Sequence, residues 1–247
     1  VTPRDRSARQ AVQSVIVACF RSGSRHAAPA ESKPQVFADR SHSQGSQYVN
    51  FTGPKIKKSR ALGIALTPKA QKYMQKRPNP PGQHGGKRRR RPSDYGLQLL
   101  EKQRLRFQYN VSESYLSKTY ALAARLPGST GDNLVQLLET RMDALVLRAG
   151  FAISIYAARQ YVNHGHFELN GHKANIASQR LKPGDVITVR ARSRKSPIFG
   201  DLRANGIVAP YVTVENDGMS FRFDYVPPRE EIQILCAEHL VVEYYSR

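Results

Sequence analysis

The 247-residue chain carries 39 Lys and Arg against 19 Asp and Glu, a formal net charge of +20. An excess of that size attracts polyanions, of which nucleic acid is the commonest, whereas an anionic membrane calls for a basic amphipathic helix or a lipid signal, and the sequence offers neither. Two distant cysteines, Cys19 and Cys236, exclude a disulfide framework and any CxxC pair and point to a reducing compartment, and the apolar run AVQSVIVACF at residues 11–20 is too short to span a bilayer.

Residues 1–47 hold seven Lys/Arg, three acids and many Ser and Ala. Gln13 and Ser14 interrupt the apolar run, which argues against a secretory signal. An organelle transit peptide and a dispensable extension are the competing readings, the second suggested by an initial Val that a literal GUG translation would give. Under each, 1–47 is expected to be a disordered tail.

Ordered sequence is predicted from about residue 48, in the mixed basic and apolar stretch to residue 66. The loop KRPNPPGQHGG (76–86) is too rich in Pro and Gly for a helix interior and leaves backbone N–H groups free to meet phosphate. Five cations follow, KRRRR (87–91), and from Lys87 to Arg106 the chain carries eight Lys/Arg and two acids. Within that run a helix is predicted, capped by Ser93 or Asp94, with Leu97, Leu100 and Leu105 on an apolar stripe and Lys102, Arg104 and Arg106 mainly off it.

Ser112 opens a second helix that Pro127-Gly128 stops, and Thr130 opens a third through Leu134, Leu137 and Leu138. The helical period resumes in RMDALVLRAG (141–150), ended by Gly150, and Ser154 caps IYAARQYVNHG, ended by Gly165. The period then changes to that of strands. HFELNGHKA reads as a hairpin about Asn170-Gly171, since both turn positions tolerate positive φ. KPGDVITVR (182–190) adds a turn and a third strand. A compact unit of two helices and a small curled sheet is thus expected at about 141–192, followed by the basic connector ARSRKS and a weakly patterned region with strand-like pieces in YVTVEN and HLVVEYYSR.

His164, His166 and His172 fall within nine positions, which raises a metal site. No cysteine and only one acid, Glu168, lie near them, so the pattern speaks against a metal. No nucleophile with a recognisable base and no carboxylate pair suggests catalysis, and GSTGDN (128–133) lacks the order of a phosphate-binding loop. Arg159, Gln160, His164, His166, Asn170 and Lys173 are instead donors on short rigid elements, suited to reading folded RNA through phosphates and 2′-hydroxyls.

Several segments together carry a family resemblance. PPGQHGG with RPSDYGLQLLEKQRLRFQYNVSE (80–113), GDNLVQLLETRMDALVLRAGFA (131–152), ARQYVNHGHFELNG (158–171), KPGD (182–185) and LVVEYYSR (240–247) resemble, in order, the bacterial-type family of small-subunit ribosomal protein four. KKSRALGIALTPKAQKYM (57–74) is similar to its actinobacterial branch. The resemblance implies an α+β fold: a mostly helical basic rRNA-binding domain at 48–140, a small helix–helix–β-hairpin module of the alpha-L motif type at 141–203, and a C-terminal segment, 204–247, packing back on the body.

It further implies a non-enzymatic component of the small subunit, without cofactor, that binds small-subunit ribosomal RNA as a primary assembly protein in a cytoplasmic ribosome, or an organelle ribosome if 1–47 is a transit peptide. Gln83, His84, Lys87, Arg88, Arg89, Arg90 and Arg91 align with a family segment near the mRNA entrance, where neighbouring protein five also contacts it. Unwinding of incoming mRNA, a contribution to translational accuracy and feedback on the protein's own operon are properties of some members. Lys55, Lys57, Lys58, Arg60, Tyr95, Lys102, Arg104, Arg106, Arg141, Arg180 and Lys182 complete the candidate RNA-contact set.

The sequence also departs from the family. The four-cysteine zinc cluster of some members is missing, 1–47 has no counterpart, and Pro210-Tyr211 stands where the family usually has Pro-x-Trp-Leu. Pseudouridine synthases and some tRNA synthetases carry a similar small module, but too little chain follows residue 192 to build their catalytic domains. Small heat-shock-type proteins that rescue stalled large subunits are shorter and lack PGQHGG and LVVEYYSR.

Overall fold

The computed structural model describes residues 51–87, 91–200, 208–215 and 218–247. The expected tail at 1–47, together with Arg88, Arg89 and Arg90, lies outside the described residues.

Seven helices come first: α1 (Lys55–Leu62), α2 (Pro68–Lys76), α3 (Asp94–Gln108), α4 (Glu113–Ala123), α5 (Thr130–Glu139), α6 (Met142–Arg148) and α7 (Ile155–Asn163). Five of the seven starts are written in hydroxyl residues, because a Ser or Thr oxygen satisfies one of the first N–H groups that the helix cannot, whereas Pro54 and Arg141 precede α1 and α6 without a side-chain cap. Thr67 Oγ1 accepts from Ala70 N at 3.2 Å, Ser93 Oγ from Gly96 N at 3.3 Å and Ser154 Oγ from Ala157 N at 3.4 Å. Ser129, one residue before the predicted start at Thr130, caps α5 through Asp132 N.

The hairpin forms as its sequence predicts. Strands β1 (Phe167–Leu169) and β2 (His172–Ala174) pair antiparallel about Asn170 and Gly171, with φ values of 50° and 82°. Strand β3 (Val186–Val189) pairs with β1, and Ile187 and Val189 are buried while Val186 and Thr188 are half-buried, the two-residue period of a strand with one covered face.

The sheet does not close there. After two short helices, α8 (Ala191–Arg194) and α9 (Pro197–Gly200), strands β4 (Val212–Val214) and β5 (Ser220–Phe223) extend it to five strands in the order β2-β1-β3-β5-β4. The chain beyond residue 203 therefore does two jobs: its first part completes the sheet and only its end returns to the helices. YVTVEN supplies β4 as expected, but HLVVEYYSR, read as strand-like, is helix α10 (Glu238–Ser246). Valines and tyrosines favour strands only weakly, and packing overrides them. Val241 is fully buried among Leu105, Leu134 and Leu138, and one turn later Tyr245 stacks on Tyr120 with ring centroids 4.9 Å apart.

Two large apolar cores result, beside a smaller one of Leu62, Ile64, Leu66 and Phe107. One lies under the sheet, where Phe151, Phe167, Phe199 and Phe221 pack edge-on or tilted within 5.4 to 6.4 Å of one another's rings. The other joins α3, α4, α5 and α10. Between them sits Glu139, with no exposed surface, accepting from Tyr109 Oη at 2.5 Å, Tyr211 Oη at 2.6 Å and Arg148 Nε at 2.5 Å. Tyr109 comes from the helical body and Tyr211 from the start of β4, so one carboxylate ties the two cores together.

Cys236 borders the second core. Burial, with Glu238 and Glu101 nearby, pushes its thiol up to about 12. Only the thiolate alkylates, so the native protein at pH 8 should react with iodoacetamide roughly two to three orders of magnitude more slowly at Cys236 than the urea-unfolded chain does. Peptide-resolved mass spectrometry would follow this cysteine separately from Cys19.

Candidate nucleic-acid interface

The predicted contact residues fall into three groups. Lys57, Gln83, His84, Lys87, Arg91, Tyr95, Gln160, His164, Asn170, Lys173, Arg180 and Lys182 are exposed. A second group is partly covered and already engaged. Arg60 donates to the Asn79 carbonyl at 2.9 and 2.6 Å, pinning the Pro/Gly loop to α1. Arg104 holds the Leu62 carbonyl at 2.9 Å and Glu101 at 2.5 Å, Arg106 the Val111 carbonyl at 3.1 Å, and His166 Nδ1 lies 2.9 Å from Ser193 Oγ. Lys58 rests over Phe51 and Phe107.

The third group is a correction. Lys102 is only 4% exposed, with its ammonium 2.9 Å from Glu113 and 4.1 Å above the Tyr244 ring. Arg141 is 1% exposed, bidentate on Asp143 at 2.9 and 2.6 Å and lying over Tyr115. Neither side chain reaches the surface, and each cation neutralises a carboxylate inside the protein. Positive charge in the sequence does not say which way it faces.

Asn170 is exposed, but its amide is occupied: Nδ2 donates to Asp185 at 2.9 Å and Oδ1 accepts from Val186 N at 2.9 Å, which fixes the hairpin against the turn before β3. The KPGD turn is closed in the same way, as Asp185 accepts from Lys182 N at 2.8 Å.

The structure brings four of the predicted residues to one place. Lys55 from α1 and Arg159, Gln160 and His164 from the end of α7 line an open cleft of about 330 Å³, with Phe51 and Tyr156 supplying aromatic surface. The Lys55 ammonium lies 4.5 Å over the Tyr156 ring, a cation–π contact. Tyr156 Oη donates to the Phe107 carbonyl at 3.2 Å, and burial raises its phenol to about 12, so the ring stays neutral. His166 follows on, its ring 5.9 Å from that of His164, and burial with His164 beside it lowers its pKa.

Asn163 shares this cleft and was missed, because an isolated Asn near a helix end reads as a terminator. The exposed cations Lys69, Lys72 and Lys76 of α2 were missed as well, although their spacing puts them near one helix face. Glu168, the one acid near the histidines, is taken by Arg190 at 3.3 Å, and among the described residues no three His, Cys, Asp or Glu side chains group closely enough to hold a metal ion.

The Gly-rich loop is held by close backbone packing. A Cβ on Gly85 would stand 2.0 Å from the Pro80 carbonyl oxygen and 3.2 Å from that of Gly82. Backbone cannot swing aside as a flexible side chain can, so Gly85→Ala should open the 80–85 turn at a cost of about 1 kcal/mol. Faster limited proteolysis within 78–87, with the remaining cleavage pattern unchanged, would register it.

A helical basic body joined to a two-helix-and-hairpin unit is the architecture of S4-type ribosomal proteins, and comparison with known families agrees. The profile described as "Ribosomal protein S4/S9 N-terminal domain" matches residues 50–139, and that of the "S4 domain", an alpha-L RNA-binding module, matches 140–187. Proteins named small ribosomal subunit protein uS4 are 54% identical in Streptomyces avermitilis, 44% in Thermobifida fusca and 46% in a Geobacillus species. Each match covers 81% of this chain and the whole of the relative. The chain belongs to the uS4 family, whose members are structural ribosomal proteins and not enzymes.

Proposed function

We propose that this protein is a component of the small ribosomal subunit that binds small-subunit ribosomal RNA directly, as a primary assembly protein, in the cytoplasm. The observation that carries the reading is the convergence of Lys55, Arg159, Gln160 and His164 on one open cleft, in a chain of the uS4 family. Its chemistry is electrostatic and geometric. Cations neutralise phosphates and release their counterions, while amide and imidazole groups on rigid helix ends match the shape of a folded RNA.

The loop from Gln83 to Arg91 is the second contact, lying near the mRNA entrance beside protein five. Supporting that placement are the family resemblance, the exposure of Gln83, His84, Lys87 and Arg91, and the anchoring of the loop by Arg60.

Expression of an affinity-tagged chain followed by sucrose-gradient fractionation tests the reading. The protein should co-sediment with small subunits through washes at moderate salt, and ultraviolet cross-linking should join it to small-subunit RNA. Recovery only at the top of the gradient would contradict it.

A further inference from the structure

The tip of the β1–β2 hairpin is fastened to the turn before β3 by one residue. Asn170 N donates to the Val186 carbonyl at 2.9 Å, its Oδ1 accepts from Val186 N at 2.9 Å, and its Nδ2 donates to Asp185 Oδ1 at 2.9 Å. The other Asp185 oxygen accepts from Lys182 N at 2.8 Å, so the KPGD turn holds the carboxylate in place.

Gly171 follows. It is exposed, a Cβ built on it would meet nothing within 4 Å, and its N–H donates to no acceptor among the described residues. An unbonded, unhindered amide nitrogen next to an asparagine is the nucleophile of asparagine deamidation. Attack on the asparagine Cγ closes a five-membered ring and needs no reactant other than water.

We infer that Asn170 is a modification site, at which the side-chain amide is lost by attack of Gly171 N and the bonds to Asp185 and Val186 set the rate. Gly171 N gives its proton to a solvent base and attacks Cγ. The N–Cγ bond forms, the Cγ–Nδ2 bond breaks, and Nδ2 leaves as ammonia with a proton from water. Water then adds to one carbonyl of the cyclic imide and a ring C–N bond opens. Opening at Cγ leaves an aspartyl residue at 170, and opening at the main-chain carbonyl leaves an isoaspartyl link through Cβ. Nothing is oxidised or reduced.

The fold governs the step. Nδ2 departs only after its bond to Asp185 breaks, and Oδ1 gives up Val186 N as Cγ turns toward Gly171, so the reaction proceeds from a locally opened hairpin tip. Either product then keeps that tip open. A carboxylate at 170 would face the Asp185 carboxylate where an N–H donor stood, and the like charges repel. The isoaspartyl link adds a carbon to a turn whose length is fixed by the register of Leu169 opposite His172. Deamidation is therefore a one-way change that frees the hairpin from β3, and it does not depend on what the hairpin binds.

The test incubates the full chain at pH 8 and 37 °C and follows residue 170 by peptide-resolved mass spectrometry, which separates it from the second Asn-Gly pair at 205–206. Native wild type should convert roughly thirtyfold more slowly than the urea-unfolded chain, the equivalent of two side-chain hydrogen bonds, one of them to a charged group. Asp185→Ala should convert about tenfold faster than native wild type, and Asn170→Gln, which would need a larger ring, should stay intact over the same period. Hydrogen exchange of Val186 N–H should be about tenfold faster in Asn170→Asp and return toward wild type when Asp185→Asn is added, since that pair restores an amide opposite a carboxylate. Should Asp185→Ala fail to fold, the wild-type comparison and the exchange series decide alone. The inference is overturned by an intact Asn170 in native wild type once the unfolded chain has fully converted. Equal rates in wild type and folded Asp185→Ala, or wild-type exchange in Asn170→Asp, would overturn it equally.

Discussion

Glu139→Gln is expected to lose about 3 kcal/mol of stability, which for a chain of this size lowers the thermal midpoint by roughly 6 to 12 °C. Three donors converge on this carboxylate, one of them the Arg148 guanidinium, and the other two are the hydroxyls of buried tyrosines. A glutamine amide would still accept through its oxygen, but its NH₂ would face donors and the Arg148 charge would lose its partner. Tyr211→Phe should cost about 1 kcal/mol, since it removes one bond of the three and leaves the charge pair intact.

The same cluster gives stability a direction in pH. Burial, with Glu139 next to it, raises Tyr109 well above the ordinary phenol value of about 10 and raises Tyr211 also. Above pH 10 the unfolded chain ionises these phenols while the folded chain holds its protons. Their contribution is therefore complete below pH 10 and declines as pH rises toward the folded values. Urea denaturation at pH 9 and pH 11, compared with Tyr109→Phe, measures it: the wild type should lose more across that interval than the variant.

Asp143→Asn is the second large effect, at about 3 to 5 kcal/mol, because it strands two guanidinium groups around a neutral amide. Burial alone raises the Asp143 pKa, and Arg141 and then Arg159 oppose that rise, so the pair stands on mutual compensation. Replacing both partners, as Arg141→Met with Asp143→Leu, should recover part of the loss, since an apolar pair carries no desolvation penalty. Differential scanning calorimetry of the two single variants and the double would give the coupling; strictly additive losses would contradict a buried pair.

These two clusters mark where sequence reading stops. Ser93, Ser112 and Ser154 announce helix starts, and Asn170-Gly171 announces the hairpin, because each signal acts within four residues. Glu139 and Asp143 look like ordinary helix carboxylates. Their importance comes from their burial and from the partners packed on them, of which Tyr109 and Tyr211 on Glu139 and Arg159 beside Asp143 are brought near by the fold alone. Arg141 and Lys102 show the converse, since their charge resembles that of the cleft cations while they sit inside the protein. Helix α10 was misread because its Val-Val and Tyr-Tyr pairs carry strand propensity, and the burial of Val241 that decides the matter is tertiary. Strand β5, SFRF, is too short for its alternation to stand out. The cleft was half legible: Arg159, Gln160 and His164 followed from helix position, but Lys55, on α1, joins them only through tertiary packing.

The central claim is that surface cations on a firm scaffold hold folded small-subunit RNA by its backbone. A binding series of the full-length protein against deprotected small-subunit ribosomal RNA, from 50 to 400 mM potassium chloride, tests it most directly. The account predicts that log affinity falls linearly with log salt, with a slope equivalent to several neutralised phosphates, and that an unrelated RNA of equal length binds more weakly throughout. A flat salt response, or equal affinity for the two RNAs, would contradict it.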